Sequence, residues 1–284
     1  MKVIDQALLE KVIIERSCTT HKGDYGRLLL LGGTYPYGGA IIMSAIAAVK
    51  SGAGLVTVGT DRENIPALHS HLPEAMAFSL QDQQLLKEQL EKAEVVLLGP
   101  GLGDDAFGED LVKQIFAGLK QNQILIVDGG ALTILARTSL SFLSNQLILT
   151  PHQKEWEKLS GITIEKQNEA TTASALTSFY QGTILVEKGP ATRIWQVGQS
   201  DYYQLQVGGP YQATGGMGDT LAGMLAGFAG QFRQASLYER VTVATHLHSA
   251  IAQELSQEHY VVLPTEISNC LPKVMNKISQ KRMG

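Results

Sequence analysis

Short runs of Leu, Ile and Val recur along the 284-residue chain, separated by stretches in which apolar positions return every three or four residues. The runs are RLLLLG (27–32), LVTVGT (55–60), VVLLG (95–99), ILIVDG (124–129), LILTP (147–151) and ILVEKG (184–189). Most show no alternation of apolar and polar positions, as expected of strands buried on both faces. Between them AIIMSAIAAVKS (40–51), QQLLKEQLEKA (83–93), DLVKQIFAGLKQ (110–121) and EKQNEATTASALTSFY (165–180) carry the helical period. Strand and helix in turn predict βαβ units, hence an α/β fold with a mostly parallel central sheet and helices on both faces. Further on, residues 191–208 read as a hairpin turning near Gly198–Ser200, and helices are predicted over 216–231, 235–257 and 265–279. With no long linker, repeat or low-complexity segment in view, residues 1–284 read as a single domain.

Composition narrows the setting. At 44% hydrophobic and 18% charged residues the chain can bury a large core. A net charge of −4 leaves no cationic surplus for a phosphate backbone, so nucleic acid is not expected as a partner. The N-terminal stretch lacks the apolar centre of a signal peptide, and Lys50, Gly52 and Gly54 cut the weakly polar run 40–58 short of a membrane span. A cytoplasmic protein with no membrane partner is the expectation. Cys18 and Cys270 stand far apart, outside any metal-type spacing, and read as reduced thiols.

In doubly wound sheets ligands bind beyond the carboxyl ends of strands, where glycine-rich loops run into helices. ATGGMGDTLAGML (213–225) fits that place best. Gly215, Gly216 and Gly218 leave the main chain open to a phosphate, and the following helix turns its unpaired N–H groups and positive dipole end toward it. Asp219 falls in the first helical turn, where that dipole keeps a carboxylate ionised and able to accept a proton from a hydroxyl. Gly223, Gly227 and Gly230 read instead as a thin helix face for close packing. GPGLG (99–103) and LGGTYPYGGA (31–40) also follow strands, and each suits either a turn or a binding surface. TPHQKE (150–155) sets His152 and Glu155 at a helix start, where a histidine either caps the helix or meets a ligand. EKGPATRI (187–194) brings Lys188 to a strand end, placed to be a turn residue or to meet phosphate. His246 and His248 share a helix without a third metal ligand in evidence and read as structural.

The GGxGD loop opening a helix resembles the anion hole and base of ribokinase-like small-molecule kinases. HKGDYGRLLLLGG (21–33), YGGAIIMSAIAAVKSGAGLVTV (37–58), LPEAM (72–76), GPGLG, TPHQKE, LVEKGPAT (185–192) and ATGGMGDTLAGMLAG together resemble one branch, the ADP- or ATP-dependent NAD(P)H-hydrate dehydratases. These motifs occur in order over nearly the whole chain. The resemblance implies a ribokinase-like three-layer sandwich, with no room for the epimerase domain fused to many bacterial relatives. It implies repair of the S epimer of NADHX or NADPHX, the C6 hydroxyl being phosphorylated by ADP or ATP, with Mg2+, before phosphate is eliminated.

On this resemblance Asp219 is the base, and the N–H groups of Gly215, Gly216, Met217 and Gly218 stabilise the transferring phosphoryl group. Ala40, Gly101, Gly103, His152 and Asp219 contact the hydrated dinucleotide. Lys188, Gly189, Pro190, Ala191, Thr192 and Gly218 hold the nucleotide donor. No metal ligand is assigned, and a homotetramer is expected. Three positions depart from the family pattern: Met217 stands where Thr is usual, Gly130 where an Asp is usual, and Ala252 where an Asp is common. The same loop and base would also serve a kinase of the hydroxymethylpyrimidine or pyridoxal type. A nucleotide sensor without catalysis is the remaining alternative, opposed by the presence of Asp219.

Overall fold

The computed structural model describes residues 1–138 and 146–280. Nine strands form one sheet: β1 Arg27–Leu31, β2 Leu55–Thr60, β3 Met76–Ser79, β4 Val95–Leu98, β5 Ile124–Val127, β6 Leu147–Leu149, β7 Ile184–Glu187, β8 Arg193–Gln196 and β9 Tyr203–Gln204. Their order across the sheet is β3-β2-β1-β4-β5-β6-β7-β8-β9. The first seven run parallel, Leu28 lying between Val56 and Val95, and β8 and β9 extend the edge antiparallel.

The uniform apolarity of the strands has its cause in two cores, one on each face. Leu28 and Leu30 point into one and Leu29 and Leu31 into the other, following the two-residue period of a strand. The first face is covered by α1 Gln6–Val12, α2 Gly38–Lys50, α3 Asn64–His71, α9 Met217–Gly230, α10 Leu237–Leu255 and α11 Pro264–Gln280. The second is covered by α4 Gln83–Lys92, α5 Ala106–Gly118, α6 Gly129–Arg137, α7 Gln153–Ser160 and α8 Glu169–Leu176. The expected three-layer α/β arrangement is therefore present.

Helix α9 is buried from Thr220 to Gly230 and lies directly on α2. A methyl group added at Gly223 would overlap the Ser44 backbone, and one at Gly227 would press on Ser51. Those two glycines thus serve the packing role read from the sequence, letting two backbones approach closely.

Two predicted helices differ from those observed. Helix α5 begins at Ala106 rather than near 110, because the Asp105 side chain accepts a hydrogen bond from the Gly108 amide and caps it there. The single helix predicted over 165–180 is a short turn, Ile164–Lys166, followed by α8. Asn168 breaks the two apart: it stands extended and caps α8, accepting from the Thr171 amide. The edge strand β3 carries no apolar signal of its own, with Met76 exposed and only Phe78 buried.

Candidate active site

Thr214–Gly218 lie at the carboxyl edge of the sheet, where the chain enters α9. Gly216 is the N-terminal cap and holds a left-handed backbone with φ +90°. That turn needs glycine, and a side chain there would run into Met43 of α2. The first intrahelical bond of α9 is Thr220 N–H to Gly216 carbonyl. Among the described residues, no protein group accepts a hydrogen bond from the amides of Gly215, Gly216, Met217 or Gly218. Four adjacent donors at a helix N-terminus form a site for an anion.

Asp219 sits in the same first turn, partly buried. Burial pushes its carboxyl up to about 6, the nearby Asp128 adds to the rise, and Lys188 opposes it. Its backbone is fixed from below by Ser44, whose hydroxyl donates to the Asp219 carbonyl at 2.8 Å and lies 3.1 Å from the Ala40 carbonyl. Helix α2 therefore carries one end of the site and braces the other.

Lys188 follows β7 and forms an ion pair with Asp128 after β5, Nζ to carboxylate oxygen at 2.9 Å. Asp128 is almost fully buried and accepts a second bond from Thr150 Oγ1 at 2.6 Å. Burial works against the charge on Lys188, but Asp128 and Glu155 outweigh it and hold the ammonium above its ordinary range. The Nζ lies 3.2 Å from the point where a side chain on Gly218 would begin. A fixed cation thus faces the four free amides, the arrangement that a transferring phosphoryl group needs.

Lys188, Met217 and Gly218 open onto a cavity of about 730 Å³, whose lining does not include Asp219. His152, Lys188, Gly189, Pro190, Thr192, Met217 and Gly218 line it, so most of the predicted donor site is brought together. Ala191 lines a smaller adjoining hollow of about 340 Å³ with Lys188, Gly189 and Pro190. His152 is the N-terminal cap of α7: its Nδ1 accepts from the Lys154 and Glu155 amides, while the Glu155 carboxylate accepts from the His152 amide. Burial and the nearby Lys188 hold its ring below the usual histidine range, and burial raises Glu155.

Ala40, Gly101 and Gly103 do not line this cavity; Ala40 meets Gly101, and Gly103 is held beside them by Thr34. The loop after β1 and the GPGLG loop are joined by Gly33 N–H to Pro100 carbonyl and Thr34 N–H to Gly101 carbonyl, both 2.8 Å. Thr34 Oγ1 in turn accepts from the Gly103 amide at 2.8 Å. Gly101 has φ +63°, and a methyl group on it would lie 2.9 Å from the Ala40 side chain. Both glycine-rich loops are therefore required by close approach.

Asp128, Ser44 and the α10 residues Thr245, His248 and Ser249 complete the site and were not assigned from sequence. Asp128 had a signal, a carboxylate at a strand end before two glycines. The others lie inside helices and had none.

A model of the NAD(P)H-hydrate dehydratase family matches residues 28–273. The chain belongs to that family. It is similar to the ADP-dependent (S)-NAD(P)H-hydrate dehydratase of Streptococcus pneumoniae, 89% identical over 99% of this chain and 97% of the relative. The dehydratase of the same description from Streptococcus thermophilus is 54% identical, over 97% of this chain and 99% of that one. Among solved structures, a ribokinase-like superfamily protein from Enterococcus faecalis superposes with a TM-score of 0.93 at 41% identity, covering 98% of this chain and 96% of that chain. The ADP/ATP-dependent NAD(P)H-hydrate dehydratase of Bacillus subtilis, co-crystallized with ATP and Mg2+, superposes with a TM-score of 0.81 at 27% identity, over 96% and 97% of the two chains. The ribokinase-like form of this family member is thereby established. Among the described residues no helix is long and apolar enough to cross a membrane, and no group of three or more His, Cys, Asp or Glu could hold a metal ion.

Proposed function

We propose that this chain is an ADP-dependent dehydratase that returns the S epimer of hydrated NADH or NADPH to the reduced dinucleotide. One observation carries the reading: a carboxylate raised to about 6, Asp219, stands in the same helical turn as four unpaired amides and opposite the Lys188–Asp128 pair. Hydroxide is a poor leaving group, so the C6 hydroxyl must first be converted. Asp219 takes the hydroxyl proton, and the oxygen attacks the terminal phosphorus of ADP, breaking its bond to the AMP oxygen. The amides of Gly215, Gly216, Met217 and Gly218 and the Lys188 ammonium hold the charge on the transferring group. Phosphate then leaves C6 as a proton leaves the neighbouring ring carbon, restoring the double bond.

In this reading the donor occupies the 730 Å³ cavity, held by Lys188, Gly189, Pro190, Ala191, Thr192 and Gly218. The hydrated ring reaches Asp219 from the side of Ala40, Gly101 and Gly103, with His152 at the boundary. Magnesium is held mostly by phosphate oxygens and water, with one or two carboxylates. No set of three such side chains is gathered among the described residues, so phosphate oxygens and water would supply most of its ligands. When bound, the ion would neutralise the donor's phosphates. Residue 217 supplies a backbone amide, so Met in place of Thr leaves that donor in place. One continuous sheet supports a single functional domain. A cytoplasmic homotetramer completes the proposal; light scattering on the eluted protein tests the assembly.

The test is the absorbance of reduced nicotinamide after adding purified protein to prepared NADHX with Mg2+ and either ADP or ATP. A rise that requires ADP, with phosphate and AMP released, is expected. No rise with either nucleotide, alongside ATP-dependent phosphorylation of another small alcohol, would move the protein to the kinase branch.

A further inference from the structure

Tyr35 and Tyr37 lie in the loop between β1 and α2, 89% and 59% exposed. Neither side chain makes a hydrogen bond or a ring contact among the described residues. The backbone beneath them is nonetheless firmly held. Asp61 Oδ2 accepts from the Tyr35 amide at 2.7 Å, and the Thr34 carbonyl accepts from the Tyr37 amide at 2.7 Å. The Gly33 carbonyl accepts from Thr60 Oγ1 at 3.0 Å and from the Asn64 side chain. Two rings set in water on so well fastened a loop form a preorganised surface, because little backbone freedom is left to lose when a flat ligand settles on them.

That surface adjoins the side from which the hydrated ring reaches Asp219. A methyl group on Gly101 would lie 3.2 Å from Tyr37 Cβ and 2.9 Å from the Ala40 side chain, while one on Gly39 would meet nothing within 4 Å. None of these residues lines the 730 Å³ cavity, so a substrate held here lies on an open face, apart from the donor. Ser44 bonds the Asp219 carbonyl, and Tyr37 precedes it by about two turns, or roughly 10 Å along α2. The C6-hydrated nicotinamide is partly saturated and is required at Asp219. The other ring of the dinucleotide is adenine, flat and aromatic, and the two riboses and pyrophosphate between the rings are long enough to cover that distance.

We infer that Tyr35 and Tyr37 form a stacking platform for the adenine of the hydrated dinucleotide and set specificity for a dinucleotide over a mononucleotide. Stacking on an aromatic ring reads the face of a base without reading its hydrogen-bonding edge. It also leaves the 2′ position of the adjoining ribose unread, so NADHX and NADPHX are held alike. This inference rests on the proposed function.

Steady-state rates test it with two substrates, NADHX and the hydrate of reduced nicotinamide mononucleotide, which keeps the reacting ring and lacks the adenosine half. The unsubstituted protein should use NADHX with a kcat/KM at least about tenfold higher. In the double variant Tyr35→Ala, Tyr37→Ala the KM for NADHX should rise about tenfold and the two substrates become nearly equivalent. Tyr35→Phe, Tyr37→Phe keeps both rings and should keep the preference. Both rings are exposed, so the variants should melt like the parent. Equal use of the two substrates by the unsubstituted protein overturns the inference. So does the parent ratio retained in the Ala variant, and a changed mass on light scattering would then assign the rings to contact between copies of the chain. A rise in the KM for ADP in place of that for NADHX overturns it too, putting the donor's base on the platform. Failure of the unsubstituted protein to dehydrate either substrate would instead count against the proposed function.

Discussion

The Lys188 ammonium is held 2.9 Å from the Asp128 carboxylate, and both groups act on Asp219 in opposite senses. Asp128 raises the Asp219 carboxyl and Lys188 lowers it, with burial the larger cause of the net rise to about 6. A base must be ionised, so kcat/KM should fall as pH drops through about 6. In Asp128→Asn the charge that raises Asp219 is gone, and Lys188 is left free to attract it. The acidic limb of the pH profile should move to lower pH, while ADP binds more weakly because its cation is less well held. An acidic limb that stays in place would show that Asp219 is not the titrating group.

Asp219→Asn should separate activity from stability. The folded value of about 6 lies above the ordinary 3.8, so the folded state holds the proton more tightly than the unfolded chain does. Stability is therefore lost as pH rises between those values, and the loss is complete above the folded one. A neutral Asn removes it. Allowing for solvent screening of a partly exposed group, the variant should gain on the order of 1 kcal/mol at neutral pH and lose roughly 10²- to 10⁴-fold in rate. Denaturant unfolding at pH 4 and pH 8 checks the sign: the gain should appear only at the higher pH.

Gly215 and Gly216 are neighbours with unlike environments. A methyl group at Gly215 meets nothing within 4 Å, whereas at Gly216 it meets Met43 from a backbone of φ +90°. Gly215→Ala should melt like the parent and weaken only anion binding. Gly216→Ala should destabilise by about 2 kcal/mol or more, from left-handed strain together with overpacking. Thermal melting of the two variants side by side, with and without ADP, distinguishes the two roles.

The family pattern that the sequence resembles leads one to expect a carboxylate in place of Gly130, and the backbone here leaves no room for one. A side chain at that position would overlap the Leu102 carbonyl of the GPGLG loop. Gly130→Asp is therefore expected to cost about 1–3 kcal/mol and to reduce activity by displacing Gly101 and Gly103. Improved turnover in that variant, with unchanged melting, would show that the loop can yield.

Most of the sheet was legible because parallel strands buried on both faces must be uniformly apolar, as RLLLLG, VVLLG and ILIVDG are. Strand β3 was not, since an edge strand of four residues with an exposed Met76 has little to bury. The anion-binding turn was legible because free amides, a left-handed Gly216 and a first-turn Asp219 all leave marks at fixed spacing. His152 had two open readings, and the structure shows one side chain that caps α7 and lines the cavity together. His248 was legible only as a helical histidine: nothing in its neighbours in sequence reports that α10 and residues 207–213 will line one cavity.

The close seating of α9 on α2 joins residues far apart in sequence, as the Ser44 hydroxyl on the Asp219 carbonyl, 175 positions away, illustrates. During synthesis, α2 and the strands it covers must wait for α9 with an apolar face exposed to water. Contacts of such long sequence separation slow folding. Nascent or truncated chains ending before α9 are thus expected to be clients of chaperones and prone to aggregate, and the protein should acquire its activity only near the end of translation.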